Sequence, residues 1–337
     1  MTDAQNGGGA SWDTTASSAS WGTDVSKQRL LVMGGFSPGS QRVAITDVVE
    51  SYGEGSWRRE PSLPVATCGS RAETLQGSIY MMGGQDIRFW GEVESNVSAP
   101  MEPEQCVWPT LDTVTRLDTA RGQWLPGPAM SHRRTCFGST SVGGRIYVAG
   151  GFDGEDFVRV VESFDPREPK WFSHPSLPRP RSAMAMSAVQ AGGGSFLVAC
   201  GGVNGPGVLS DEVDIFDIRK GAWVEGPPLL AARSGAAAAT LDSKVYIIGG
   251  AGESSVLAGV EVFDIRTLLW ERDLSAAMSL PRTSMAAVTF RGKLMALGGF
   301  DGRGQPLDTV EIYDPEEGWR REKSLSFPRG MMAAATF

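Results

Sequence analysis

Histidine is scarce, cysteine is scattered and long apolar runs are missing from this sequence. Each shortage removes a class of function. The four cysteines, Cys68, Cys106, Cys136 and Cys200, stand far apart with no C-x-x-C pair. That pattern fits reduced thiols, not a disulfide framework or a zinc site. No apolar stretch approaches the roughly 18 residues needed to span a membrane. The N-terminus has neither a basic start nor an apolar core, so it does not read as a secretory signal. Together these features predict a cytoplasmic protein with no membrane partner. Basic charge is also short: the formal net charge is −8, which argues against a nucleic-acid partner. Glycine and proline, by contrast, are plentiful, at 43 and 20 residues. That composition suits many short strands joined by tight turns. A chain of 337 residues, 41% of them hydrophobic, is long enough for a large core.

The order in the chain is a repeat, the first thing to seek in any sequence. Six times a short apolar run ends in a glycine pair: Gly34-Gly35, Gly83-Gly84, Gly150-Gly151, Gly201-Gly202, Gly249-Gly250 and Gly298-Gly299. Runs such as Ile146-Tyr147-Val148-Ala149 and Val245-Tyr246-Ile247-Ile248 read as strands covered on both faces. A second strand follows each pair, for example Val161-Glu162-Ser163-Phe164-Asp165 and Val260-Glu261-Val262-Phe263-Asp264. The second repeat has a degenerate form, Val114-Thr115-Arg116-Leu117-Asp118. The closing Asp is placed to hydrogen-bond the backbone of the next turn. A tryptophan comes next in every repeat, at Trp57, Trp124, Trp171, Trp223, Trp270 and Trp319. These six are expected to wedge between neighbouring sheets and not to bind a ligand. The last element is a strand of small residues, such as Ala236 to Ala239, introduced by arginine in five of the six repeats. Small side chains fit strands crowded around a central axis.

These four elements resemble the kelch repeat, which has a period of about 50 residues. The resemblance covers residues 28–337 and implies an all-β, six-bladed β-propeller of four-stranded antiparallel blades. The chain starts its first repeat at the second strand, Arg29 to Gly35, and ends on a first strand, Arg329 to Phe337. The C-terminal strand is therefore expected to complete the first blade and close the ring, making 28–337 one domain. Residues 1–27, rich in Gly, Ser, Thr and Ala, read as a flexible tail. The second repeat carries about 18 extra residues near 88–110, including Trp90, Trp108 and several glutamates. A loop of that length is a candidate contact surface.

The resemblance implies a non-catalytic scaffold or substrate-recognition module that binds another protein as a monomeric domain, without a cofactor. Arg134, Arg181, Arg233, Arg282 and Arg329 are expected to circle one rim, with Thr67 at the sixth place. In kelch adaptors arginines at such positions hold acidic peptide segments, so an acidic partner segment is the expectation. A guanidinium fork suits a carboxylate. The competing reading is that each arginine pairs with a nearby carboxylate and ties the fold together. Phe36, Phe152 and Phe300, just after their glycine pairs, complete the candidate contact set with Trp90 and Trp108. Family members often carry a BTB or F-box segment linking them to ubiquitin ligases. Neither is visible in residues 1–27, so a ligase role would run through a second protein.

Two enzyme readings compete with this one. A copper-radical oxidase needs spare tyrosines and histidines. Here both histidines, His132 and His174, lie in turns, and all five tyrosines occupy repeat strands. A nonredox sugar-processing enzyme of the sialic acid mutarotase type needs only arginine and a carboxylate near one sugar, and it stays as the alternative. Cys106 sits among acids that should raise its pKa, while Cys68, Cys136 and Cys200 read as small buried hydrophobes.

Overall fold

The computed structural model describes residues 25–38, 43–86, 109–273 and 277–337. Six four-stranded antiparallel sheets follow one another along the chain. In blade 3 the strands are Gly138–Val142, Arg145–Ala149, Val161–Asp165 and Lys170–His174, in that order from the axis outward. Blades 2, 4, 5 and 6 repeat the plan. Their axial strands are Arg71–Leu75, Ala185–Ala191, Ala237–Leu241 and Ala286–Phe290. Blade 1 is built from both ends of the chain: Ala333–Thr336 pairs with Leu30–Met33, which pairs with Val49–Gly53 and then Ser56–Glu60. The expected all-β propeller and its closure are thus both present. A short hairpin, Phe36–Pro38 with Val43–Ile45, is added after the second strand of blade 1.

The six axial strands touch one another around the ring, and this crowding favours the alanine, serine and threonine that predominate on them. The hydrophobic core is divided among the blade interfaces. One cluster joins Val198 and Ile215 of blade 4 to Val245 and Phe263 of blade 5, and equivalent clusters fill the other five interfaces.

The tryptophans act as the sequence predicts. Each stands directly across the ladder from the aromatic or Leu at the fourth position of the third strand, as Trp171 does from Phe164 and Trp270 from Phe263. The rings pack at 5.5 and 4.9 Å. The indole N–H reaches back to the linker of the preceding blade: Trp124 donates to Pro61 C=O, Trp171 to Pro128, Trp223 to Pro175 and Trp270 to Pro227, at 2.8–3.1 Å. Trp57 reaches Lys323 after blade 6 across the closure. One side chain therefore both fills an interface and satisfies its polar atom. The closing aspartates cap their turns, with Asp165 Oδ1 accepting from Arg167 N–H at 3.0 Å and Asp264 Oδ1 from Arg266 N–H at 2.9 Å.

At the axis, one residue per blade forms a closed ring of backbone hydrogen bonds. Gly69 N–H donates to Met331 C=O, Met331 to Ser284, Ser284 to Gly235, Gly235 to Ala183, Ala183 to Cys136 and Cys136 back to Gly69, at 2.7–2.9 Å. All six residues have φ between +50° and +67°. Four are not glycine, so the geometry of the ring outweighs the left-handed penalty at each of those positions.

Candidate partner-binding rim

The rim is assembled from the loops after the glycine pairs and the linkers that carry the arginines. Both lie at the same end of the antiparallel ladder. The second glycine of each pair donates its N–H to the backbone C=O of the residue at the arginine position in the next blade: Gly84 to Arg134, Gly151 to Arg181, Gly250 to Arg282. A Cβ on the first glycine would lie within 2.4–2.6 Å of that same carbonyl. The pair is glycine because two backbones meet there with positive φ and no room.

The arginine side chains then turn inward, so the expectation of an arginine-lined rim is corrected. Arg134, Arg181, Arg282 and Arg329 are 0% exposed and Arg233 is 4% exposed. Each guanidinium pairs with a carboxylate at the second position of the third strand in its own blade. Arg134 meets Glu162 at 2.5 Å and Arg329 meets Glu50 at 2.6 Å. Arg181 meets Asp214, Arg233 meets Glu261 and Arg282 meets Glu311. The same guanidinium donates to the C=O of the first glycine and to the C=O of the residue before the third strand. For Arg134 these are Gly150 at 2.9 Å and Val160 at 3.0 Å. The other carboxylate oxygen accepts a backbone N–H from the linker: Ser131 on Glu162, Leu230 on Glu261, Ser279 on Glu311. This is a clamp that locks loop, linker and strand into one unit. Burial draws the guanidinium pKa of Arg134 and Arg282 downward while Glu162 and Glu311 oppose the shift. The carboxylate and the backbone carbonyls offset the cost of burying each guanidinium, although the Nε of Arg134, Arg181, Arg282 and Arg329 makes no hydrogen bond among the described residues. The basis for an acidic partner segment, and for a sugar held by these arginines, falls with their burial.

Blade 2 is the exception, and its two ends changed together. Thr67 stands where the arginine would be, and Thr115 where the glutamate would be. The vacated slot is a cavity of about 230 Å3 lined by Leu63, Pro64, Val65, Thr67, Gly83, Thr113 and Thr115, among others. The carboxylate partners were missed in the sequence although the signal is there: Glu50, Glu162, Asp214, Glu261 and Glu311 recur at one position and fail only where the arginine fails.

What the rim does present is apolar, with charges of both signs around it. Phe36, Phe152 and Phe300 are half-buried, held by two-way bridges to Gly330, Thr135 and Thr283. Phe36 and Phe300 lie together with centroids 6.0 Å apart, and Phe152 stands edge-on to Phe157 at 5.7 Å. Val208 and Leu230 expose about half their surface nearby. The loops after the pairs carry Asp153, Glu155, Asp156, Glu253 and Asp301 with Arg159 and Arg303, and the linker residue Arg133 pairs with Glu155 at 2.6 Å. Asp153 and Asp301 cap their own loops, whereas Glu155, Asp156 and Glu253 are exposed. Burial alone would raise the Asp153 pKa, yet the N–H groups of Asp156 and Glu155 hold it below the usual carboxylate value. Trp90, Trp108 and Cys106 lie outside the described residues. The thiols of Cys68 and Cys200 are free, buried and pushed up to about 12 by burial; Cys136 is free and half-buried.

A ring of six sheets, each closed by a tryptophan wedge and a glycine pair, is the architecture of a repeat propeller, and the comparisons give it a family. The Kelch motif matches residues 133–178, 232–272 and 281–325. Beta-scruin of Limulus polyphemus is 30% identical over 260 residues, 72% of this chain and 26% of the scruin. Kelch-like protein terF of Aspergillus terreus is 26% identical over 318 residues, 88% of this chain and 64% of that protein. The chain thus spans less than two thirds of the length of either relative. The solved structure of YjhT superposes with a TM-score of 0.65 at 14% identity, covering 87% of this chain and 97% of that one, and shares the fold. The chain is a member of the kelch-repeat β-propellers.

Proposed function

We propose that this propeller binds another protein through the rim and performs no chemistry of its own. The observation that carries the reading is the composition of the rim once the arginines are removed from it. Three aromatic side chains are fixed by backbone bridges beside exposed carboxylates, on loops that differ from blade to blade. Half-buried rings held by a rigid scaffold are what a hot spot requires, and unequal loops on an equal scaffold are how a repeat fold acquires a specific partner. The kelch-named relatives support an interaction role. The partner segment that complements this surface is apolar, with basic groups opposite the exposed Asp156 and Glu253; Glu155 is already paired with Arg133. With its free thiols the chain suits the cytoplasm, working as one domain of 28–337 and as the recognition part of a larger assembly.

The test is affinity capture from native extract, analysed by mass spectrometry, with wild type beside F152A/F300A and beside D156N/E253Q. The reading requires that both variants fold and lose the same specific partners. Partners kept by both variants would overturn the assignment of the rim.

A further inference from the structure

The axial channel holds a charged pair that owes nothing to the rim. On the six axial strands, Arg71 and Glu73 are the only charged residues; the others contribute Ala, Gly, Ser, Thr, Met, Val, Leu, Phe and Gln. Both belong to Arg71–Leu75 of blade 2 and point the same way, since residues two apart share a face of a strand. They line a chamber of about 90 Å3 just inside the backbone hydrogen-bond ring, closed by alanines and by Met184, Met285 and Met332. The chamber continues into a second space of about 230 Å3, with Ala72, Glu73 and Ser139 shared between them. That space opens into a wider mouth at the opposite end, where Thr74, Ser141 and Thr240 are shared.

The guanidinium of Arg71 is the unsatisfied group in this chamber. Among the described residues it donates one hydrogen bond, to the C=O of Ser70 at 3.3 Å, and has no carboxylate at ion-pair distance. Glu73 is turned aside to accept from Ser139 Oγ at 2.7 Å. The five clamp arginines show what this chain does elsewhere with a guanidinium taken out of water: each is given a carboxylate. Arg71 is given none among the described residues.

We propose that Arg71 and Glu73 form a binding site for a small monocarboxylate inside the axial channel. The planar fork of Arg71 takes both oxygens, and the chamber admits a molecule of about three to six non-hydrogen atoms. Glu73 sets the pH dependence. Burial pushes its carboxyl up to about 7, with Ser139, Ser141 and Arg71 pulling the other way. Protonated, it adds a donor beside the anion; ionised, it repels the anion and neutralises Arg71. The charged and titratable groups around the pair are few. Arg71 faces Glu73 on its own strand, Cys136 lies next to Arg71, and the strand of blade 3 contributes only the hydroxyls of Ser139 and Ser141.

The test titrates the full chain with sodium acetate by isothermal calorimetry at pH 6 and pH 8, with inorganic phosphate as the competing probe. Acetate is expected to bind about ten-fold more tightly at pH 6, the ratio of protonated Glu73 at the two values. Binding at pH 7.5 takes up protons, visible as a dependence of the heat on buffer. R71Q abolishes binding and R71K weakens it by at least about ten-fold, as a point charge replaces the fork. E73Q keeps binding but loses both the pH dependence and the proton uptake. Wild-type protein that ignores acetate, or R71Q that binds it unchanged, overturns the site. Phosphate binding in place of acetate overturns the carboxylate.

Discussion

Removing one arm of a clamp should cost far more than removing both. In blade 6, Arg282 and Glu311 are each 0% exposed and bonded to one another. Arg282 also donates to Gly298 C=O at 3.3 Å and Thr309 C=O at 2.9 Å, and Glu311 accepts Ser279 N–H at 2.8 Å. The substitution R282M deletes three hydrogen bonds and strands a buried carboxylate, a loss of about 3–5 kcal/mol. E311L strands the guanidinium at similar cost. The double variant R282M/E311L buries no charge. It leaves Ser279 N–H without its acceptor, whereas Thr309 C=O still receives Gly298 N–H. Its expected cost is therefore about 1–3 kcal/mol. The double-mutant cycle should thus return a coupling of at least about 3 kcal/mol. Urea unfolding followed by tryptophan fluorescence reads the difference directly. With an unfolding entropy of about 2.1 cal/mol/K per residue, a 4 kcal/mol loss lowers Tm by roughly 6 °C. A coupling below about 1 kcal/mol, or R282M within about 1 kcal/mol of wild type, would refute the view that the clamp is a closed charge unit.

Other outcomes follow from the same geometry. In blade 2, T67R and T115E should each destabilise, while T67R/T115E should recover by about 3 kcal/mol or more relative to their sum, as the pair fills the vacant slot; additivity would sink this. Gly299→Ala places a Cβ 2.7 Å from Thr283 C=O at φ +96° and should cost more than about 2 kcal/mol. Ala183→Gly relieves φ +51° and should be neutral or stabilising by up to about 1 kcal/mol; equal melting shifts for the two would contradict the account. The folded-state pKa of Glu73 is raised, so its unfavourable contribution develops as pH rises from the unfolded value of about 4.3 to about 7. E73Q should therefore stabilise by roughly 1–3 kcal/mol at pH 8 and by almost nothing at pH 4, measured by urea midpoints at both. Deleting residues 329–337 removes a clamp, one ring residue and an axial strand; a truncated chain that melts like the full one would refute the closure.

The blade plan was legible because glycine pairs, tryptophans and small-residue strands each answer to a local constraint that repeats six times. The sense of the arginines was not, because a rim position and a buried position have the same spacing in sequence. The deciding information lay in a second residue, the glutamate 28 or 29 positions after Arg134, Arg233 and Arg282, and in the joint loss at Thr67 and Thr115. Arg71 and Glu73 were equally visible as the charges on strands otherwise free of them. What the sequence does not show is that both lie on the axial face, because the second repeat is broken by its insertion and its axial strand lacks the run of small residues that marks the others.

The ring of backbone bonds at the axis has a consequence for how this protein comes apart. A linear stack of repeats has two ends, and each end can peel at the expense of one interface. Here the bonds run head to tail through all six blades, so freeing any single blade severs two of them together with two wedged tryptophans. No position is a cheap place to start. Partial unfolding by one blade is therefore suppressed, and hydrogen exchange at Gly69, Cys136, Ala183, Gly235, Ser284 and Met331 should proceed only through opening of the whole ring.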